Sequence, residues 1–99
     1  MSSKALRLHP QARLEVEQAF DWYFERSTNA AGRFLDAVDS AFRQIVQNPE
    51  RYPAYTQKTR RFVLDEFPYA AIYQVQDEVV LVLAMAHAKR RPRYWHKRI

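Results

Sequence analysis

Val79-Val80-Leu81-Val82-Leu83-Ala84-Met85-Ala86 is apolar at every position, without the alternating polar residues of a strand that has one wet face. The run is far shorter than the roughly 18 residues that would carry a chain across a bilayer. It predicts a strand covered on both faces, at the centre of a sheet. Upstream, residues 69–76 and 61–64 are also rich in Val, Ile, Leu, Phe and Tyr. Asp65-Glu66 and Gln76-Asp77-Glu78 separate the three runs, which predicts a three-stranded antiparallel meander.

Further upstream the period changes. Ala31, Phe34, Leu35, Val38, Ala41, Phe42, Ile45 and Val46 recur on one helical face, with Arg33, Asp36, Asp39, Arg43, Gln44 and Gln47 opposite. Pro49 disfavours helical geometry at Asn48, so the helix is predicted to stop there. An earlier helix opens at Pro10, where a missing N–H costs nothing. Its stripe is Ala12, Val16, Ala19, Phe20 and Tyr23, leaving Leu14, Trp22 and Phe24 off it. Ser27-Thr28-Asn29 supplies a three-residue connection and an N-cap. The two helices are predicted to form an antiparallel hairpin. Ala5-Leu6-Arg7-Leu8 alternates as a short strand does. The expected fold class is α+β in the order β-α-α-β-β-β, with the helical hairpin packed on one face of a small antiparallel sheet. Residues 49–58 form a loop with two prolines and two tyrosines.

A chain of 99 residues is expected to be one domain, 1–99. A single glycine, Gly32, excludes a P-loop and a dinucleotide fingerprint. With no cysteine there are no disulfides, thiolate metal sites or cysteine nucleophiles. Residues 1–10 hold no hydrophobic stretch of signal-peptide type, so a soluble cytoplasmic protein without membrane partners is expected.

Charge is the other strong signal. No acidic residue follows Glu78, whereas Lys89, Arg90, Arg91, Arg93, Lys97 and Arg98 all do. Of 16 basic and 11 acidic groups, the last 21 residues hold six basic and no acidic ones, so the first 78 carry a net charge of −1. Such a concentrated field attracts a polyanion or an acidic protein. A second basic pair, Arg60-Arg61, opens the second strand and is expected to share one surface with the tail. Arginine forks match phosphate oxygens, and Tyr94 and Trp95 can stack on bases or fill a protein pocket. Those rings can also pack down on the core, which would fix the arginines beside them. His87 reads either as a general base or as a hydrogen-bonded residue closing the sheet. His9 and His96 have no partner at ligand spacing, so no metal site is expected. Glu15/Glu17, Asp36/Asp39 and Asp65-Glu66 read as solvating charges, and no side chain is arranged for covalent catalysis.

Pro49-Glu50-Arg51-Tyr52-Pro53, Arg60-Arg61-Phe62-Val63-Leu64, Phe67-Pro68-Tyr69-Ala70-Ala71-Ile72-Tyr73 and His87-Ala88-Lys89-Arg90-Arg91-Pro92-Arg93-Tyr94-Trp95 together resemble the RelE/ParE superfamily of bacterial toxins. The resemblance covers nearly the whole chain. It implies a compact toxin, without cofactor, from a type II toxin–antitoxin system. It also implies a cognate antitoxin whose acidic, flexible segment wraps the toxin in a hetero-oligomer, with Trp22 and Phe24 as antitoxin contacts.

Two activities occur in the superfamily: RelE-like cleavage of messenger RNA on the ribosome, and ParE-like poisoning of DNA gyrase. RelE-like enzymes usually carry an arginine after the tyrosine that opens the third strand; here Ala70 follows Tyr69, and alanine cannot stabilise charge on a phosphorane-like transition state. If the chain were a ribonuclease, the resemblance would place catalysis on Arg61, His87, Arg90 and Tyr94. The Phe-Pro-Tyr and Tyr-Trp signatures look closer to the ParE side. That resemblance implies growth arrest by binding a type II topoisomerase through Arg60, Arg61, His87, Arg90, Arg91, Tyr94, Trp95 and Arg98.

Overall fold

A computed structural model describes residues 4–99. Met1, Ser2 and Ser3, the start of the stretch read for a signal peptide and of the expected 1–99 domain, lie outside the described residues. The elements are β1 (Ala5–Leu8), α1 (Pro10–Arg26), α2 (Thr28–Gln47), β2 (Arg60–Val63), β3 (Tyr69–Val75) and β4 (Val79–His87), with a closing 3-10 turn at His96–Arg98. The expected α+β order holds, and the meander strands begin or end within one residue of their expected limits.

Sheet order is β1-β4-β3-β2. β2–β3 and β3–β4 pair antiparallel, as expected. β1 instead pairs parallel to β4, Ala5↔Val79 through Leu8↔Val82, so the small sheet is mixed rather than wholly antiparallel. The cause is topological. The helical hairpin forms the crossover between β1 and the rest, returning the chain to the side from which β1 set out.

Capping chemistry sets the helix limits. The His9 side chain accepts the Gln11 amide at the head of α1, with Pro10 in the first turn. The hairpin connection is Ser27 alone, not three residues. Its amide donates to the Tyr23 carbonyl, closing α1, while its hydroxyl accepts the Ala30 amide, opening α2. One extended residue serves both helices, which frees Thr28 and Asn29 to be helical. α2 ends at Asn48, as Pro49 dictates. Leu35, expected on its apolar face, is exposed.

Both faces of the sheet are covered. On one, Phe34, Val38, Ala41 and Ile45 of α2 and Ala12 and Ala19 of α1 pack with Val80, Val82, Met85, Ala71 and Tyr73. On the other, Ile72, Leu83 and Ala84 lie under Trp95, with Tyr55 and Tyr94 beside them. The all-apolar β4 is thus central and dry on both sides, as its sequence requires. The register slips between Ile72 and Tyr73: Leu83 and Ala84, adjacent in sequence, both belong to the Trp95 face. This is a β-bulge, with two residues on one side where alternation would give one.

Tyr73 is fully buried and donates to the Pro49 carbonyl at 2.6 Å, bolting the loop after α2 to the sheet. Burial pushes its hydroxyl up to about 12, against about 10 in an unfolded chain. Its stabilising contribution is complete below pH 10 and is lost as pH rises through 12. Tyr73→Phe is expected to lower stability by about 1 kcal/mol at neutral pH through the lost bond, and to flatten the fall in urea midpoint between pH 10 and 12. An unchanged alkaline slope would refute that assignment.

Candidate target-binding surface

The chain leaves β4 at His87 and doubles back across the sheet. The Ala88 amide donates to the Pro68 carbonyl and the Arg90 amide to that of His87. Arg93 adopts a left-handed φ of 58°, which costs a non-glycine residue energy and turns the tail toward the core. Trp95 follows and is only 2% exposed. It packs against Tyr55, ring centroids 5.9 Å apart.

Glu15 anchors this arrangement. Its carboxylate accepts the Met85 amide at 3.0 Å and the Tyr94 hydroxyl at 2.8 Å. The Arg98 guanidinium adds a two-pronged bond at 3.0 and 2.9 Å, with side-chain exposures of 14% and 12% for Arg98 and Glu15. Arg98 also donates to the Leu83 carbonyl at 2.9 Å. β1 covers β4 only as far as Val82. Glu15 and Arg98 take up the next backbone groups along that edge, so an ion pair finishes the ladder that β1 leaves short. Buried charges need such saturation to be tolerated. Burial, then the bond to Glu15, raises the Tyr94 hydroxyl far above the usual phenol range.

Glu15 was expected to be a solvating charge. It sits three residues after Ala12 and four before Ala19, on the apolar stripe of α1, and that position was the available signal. Arg98, expected to contact a target, is consumed internally instead.

Of the other expected contacts, Arg61, His87, Arg90, Arg91, Tyr94 and Trp95 line one cleft of about 130 Å³. Arg60 does not join them. It pairs with Tyr73 and its guanidinium donates to the Tyr52 carbonyl at 2.8 Å on the helix side, while Arg61 pairs with Ile72 on the tail side. Successive strand residues point to opposite faces, so one basic pair cannot serve one surface.

The rings in the cleft are occupied. The Arg90 guanidinium lies 3.8 Å from the Tyr94 ring centre and that of Arg61 4.8 Å from the Tyr55 ring centre. Trp95 is buried, so base stacking is closed to it. Aromatic faces hold the arginines by cation–π attraction, and guanidinium edges are what the cleft offers. His87 Nδ1 accepts the Lys89 amide at 3.0 Å, which in the neutral ring leaves the proton on Nε2. That ring donates where a general base would need a free lone pair. Trp22 and Phe24 are each 52% exposed on α1. Among the described residues, no group of three His, Asp or Glu side chains is arranged to hold a metal, and no helix is long and apolar enough to cross a membrane.

The family described as "ParE toxin of type II toxin-antitoxin system, parDE" matches residues 6–92. The chain belongs to it. Toxin ParE2 of Mycobacterium tuberculosis, in strains CDC 1551 / Oshkosh and H37Rv, is 25% identical over 91 residues, 91% of this chain and 87% of that protein. A structure of the chromosomal ParDE system of P. aeruginosa aligns with a TM-score of 0.76 at 14% identity, covering 88% of this chain and 98% of that one. The free E. coli toxin RelE, carrying two substitutions, aligns at 0.67 and 14% identity over 98% and 94%. These likenesses establish the fold of the RelE/ParE superfamily, and the family match identifies a type II toxin of the ParE branch.

Glu15→Ala leaves the Arg98 charge buried without its partner. The expected loss is about 3–5 kcal/mol, with amide exchange in residues 94–99 accelerating before that of α2. Glu15→Leu/Arg98→Met, which removes both charges, is expected to recover part of the loss, the remainder being the Met85 amide, Leu83 carbonyl and Tyr94 hydroxyl left without partners. Equal destabilisation of single and double variants in chemical denaturation would contradict this account.

Proposed function

We propose that this ParE-family toxin arrests growth by binding DNA gyrase through the Arg61–Arg90–Arg91 cleft, without chemistry of its own, and that a cognate antitoxin with an acidic, flexible segment neutralises it. The chain acts as a single toxin domain in the cytoplasm. The observation that carries the reading is the state of the residues a ribonuclease would need. Tyr94 is locked as a donor to Glu15, the His87 Nδ1 lone pair is filled, and Ala70 stands where an anion-stabilising arginine would be. What remains free is a rim of exposed guanidinium groups on a rigid aromatic floor, which suits recognition of an acidic protein surface. The exposed Trp22 and Phe24 on α1 supply apolar anchors for the antitoxin.

Purified toxin is expected to inhibit gyrase supercoiling and to trap double-strand breaks, leaving ribosome-bound transcripts uncut. Arg61→Ala/Arg91→Ala is expected to weaken inhibition by about tenfold or more, as for loss of two interfacial charges, with the thermal midpoint unchanged because both residues are exposed. Codon-positioned cleavage of transcripts, or full inhibition by the double variant, would overturn the reading.

A further inference from the structure

A second groove, of about 370 Å³, runs between α1 and the end of the sheet where β3 begins and β4 ends. Apart from the Glu15 carboxylate, every polar side chain in its lining can donate a hydrogen bond. Tyr69 and His87 are cross-strand partners with rings packed edge to face at 4.9 Å. Tyr23 lies against them from α1, near enough that its charge would raise Tyr69, though less than burial does. Gln18 and Arg90 complete the set, with the exposed Trp22 at the mouth.

Among the described residues, no hydrogen bond within the chain engages the Tyr23 or Tyr69 hydroxyls, the Gln18 amide or the Arg90 guanidinium. The His87 Nε2–H is free because Nδ1 is taken. The one carboxylate in the lining, Glu15, is saturated, each oxygen accepting two bonds. Both tyrosines are protonated at neutral pH, as free phenols are, and burial pushes each hydroxyl further up. A groove so rich in unspent donors, with no unspent carboxylate, is built for an anion.

We infer that this groove is a recognition pocket for a single carboxylate on an apolar–acidic peptide segment. The carboxylate would meet Arg90, Tyr69 and His87, while a neighbouring apolar side chain packs on Trp22 and Pro68. A carboxylate fits better than a nucleic-acid phosphate. Arg90 is the only arginine in the lining and no lysine is present, whereas phosphate tracts are held by several cations. The cationic groove of about 710 Å³ bordered by Lys58, Arg91, Arg93 and His96 on the tail side is the better phosphate surface. The inference deepens the antitoxin part of the proposed function, because an acidic segment anchored at Trp22 would reach His87 and Arg90 and cover one end of the target-binding cleft. It does not depend on gyrase being the target.

The test is titration of the ¹⁵N-labelled toxin with the peptide acetyl-Leu-Glu-Leu-amide, its Gln counterpart, inorganic phosphate and single-stranded oligothymidylate. The Glu peptide is expected to shift the Trp22 indole and the Tyr69 and His87 amides saturably. It should bind about tenfold tighter than the Gln peptide, the worth of one bond to a charged group. Arg90→Gln and Tyr69→Phe, with unchanged amide dispersion, are expected to remove or reduce that preference. Equal binding of the two peptides, shifts confined to Lys58 and Arg93, or a stronger response of these same signals to phosphate or oligothymidylate would each overturn the pocket. If an antitoxin bound Arg90→Gln at full strength, the pocket would fall while neutralisation by an antitoxin stood.

Discussion

The carboxylate of Glu15 on α1 joins two pieces of chain some 70 to 83 positions away in sequence, the edge of β4 and the tail. Burying an ion pair is unfavourable unless every lone pair and proton finds a partner. Here the strand edge supplies what the pair lacks, an amide for the anion and a carbonyl for the guanidinium. The exchange is mutual, since that edge would otherwise present unpaired backbone groups beside the core. With Arg98 fixed, Tyr94 and Trp95 lie down on the sheet. With those rings fixed, Arg90 rests on the Tyr94 face, and Tyr55, packed against Trp95, offers its own face to Arg61. The cationic surface is thus the last step of an assembly that begins with one acid on a helix.

Much of the architecture was legible because hydrophobic pattern and burial are directly coupled. The uninterrupted β4, the amphipathic α2 and the Pro49 stop left little freedom. The bulge was not legible: Leu83 and Ala84 are apolar whichever face they take, so a slipped register leaves no trace in the pattern. The parallel pairing of β1 was hidden because four alternating residues are silent about direction. Reducing the hairpin connection to Ser27 depended on one side chain capping one helix while its amide closed the other, which a propensity count does not register.

At the site, the sequence told where positive charge lies but not which way it faces. Arg60 and Arg61 are neighbours in the chain and strangers in space, by the two-residue period of any strand. Glu15 was misread because carboxylates on helices are usually wet. Its place between Ala12 and Ala19 outweighed that habit. Tyr94 and His87 carry the right chemistry for proton transfer, yet the Tyr94 hydroxyl is spent donating to Glu15 and the His87 Nδ1 lone pair accepting the Lys89 amide.

Glu15 and Arg98 are separated by 83 positions, so during synthesis α1 is made long before its counter-charge. Until the tail arrives, a growing chain carries a bare acid on one helix and an unsealed border on its central strand, an invitation to pair with the wrong neighbour. The interval between translating the two residues is when the chain is most exposed to chaperones, proteases or an early-binding partner.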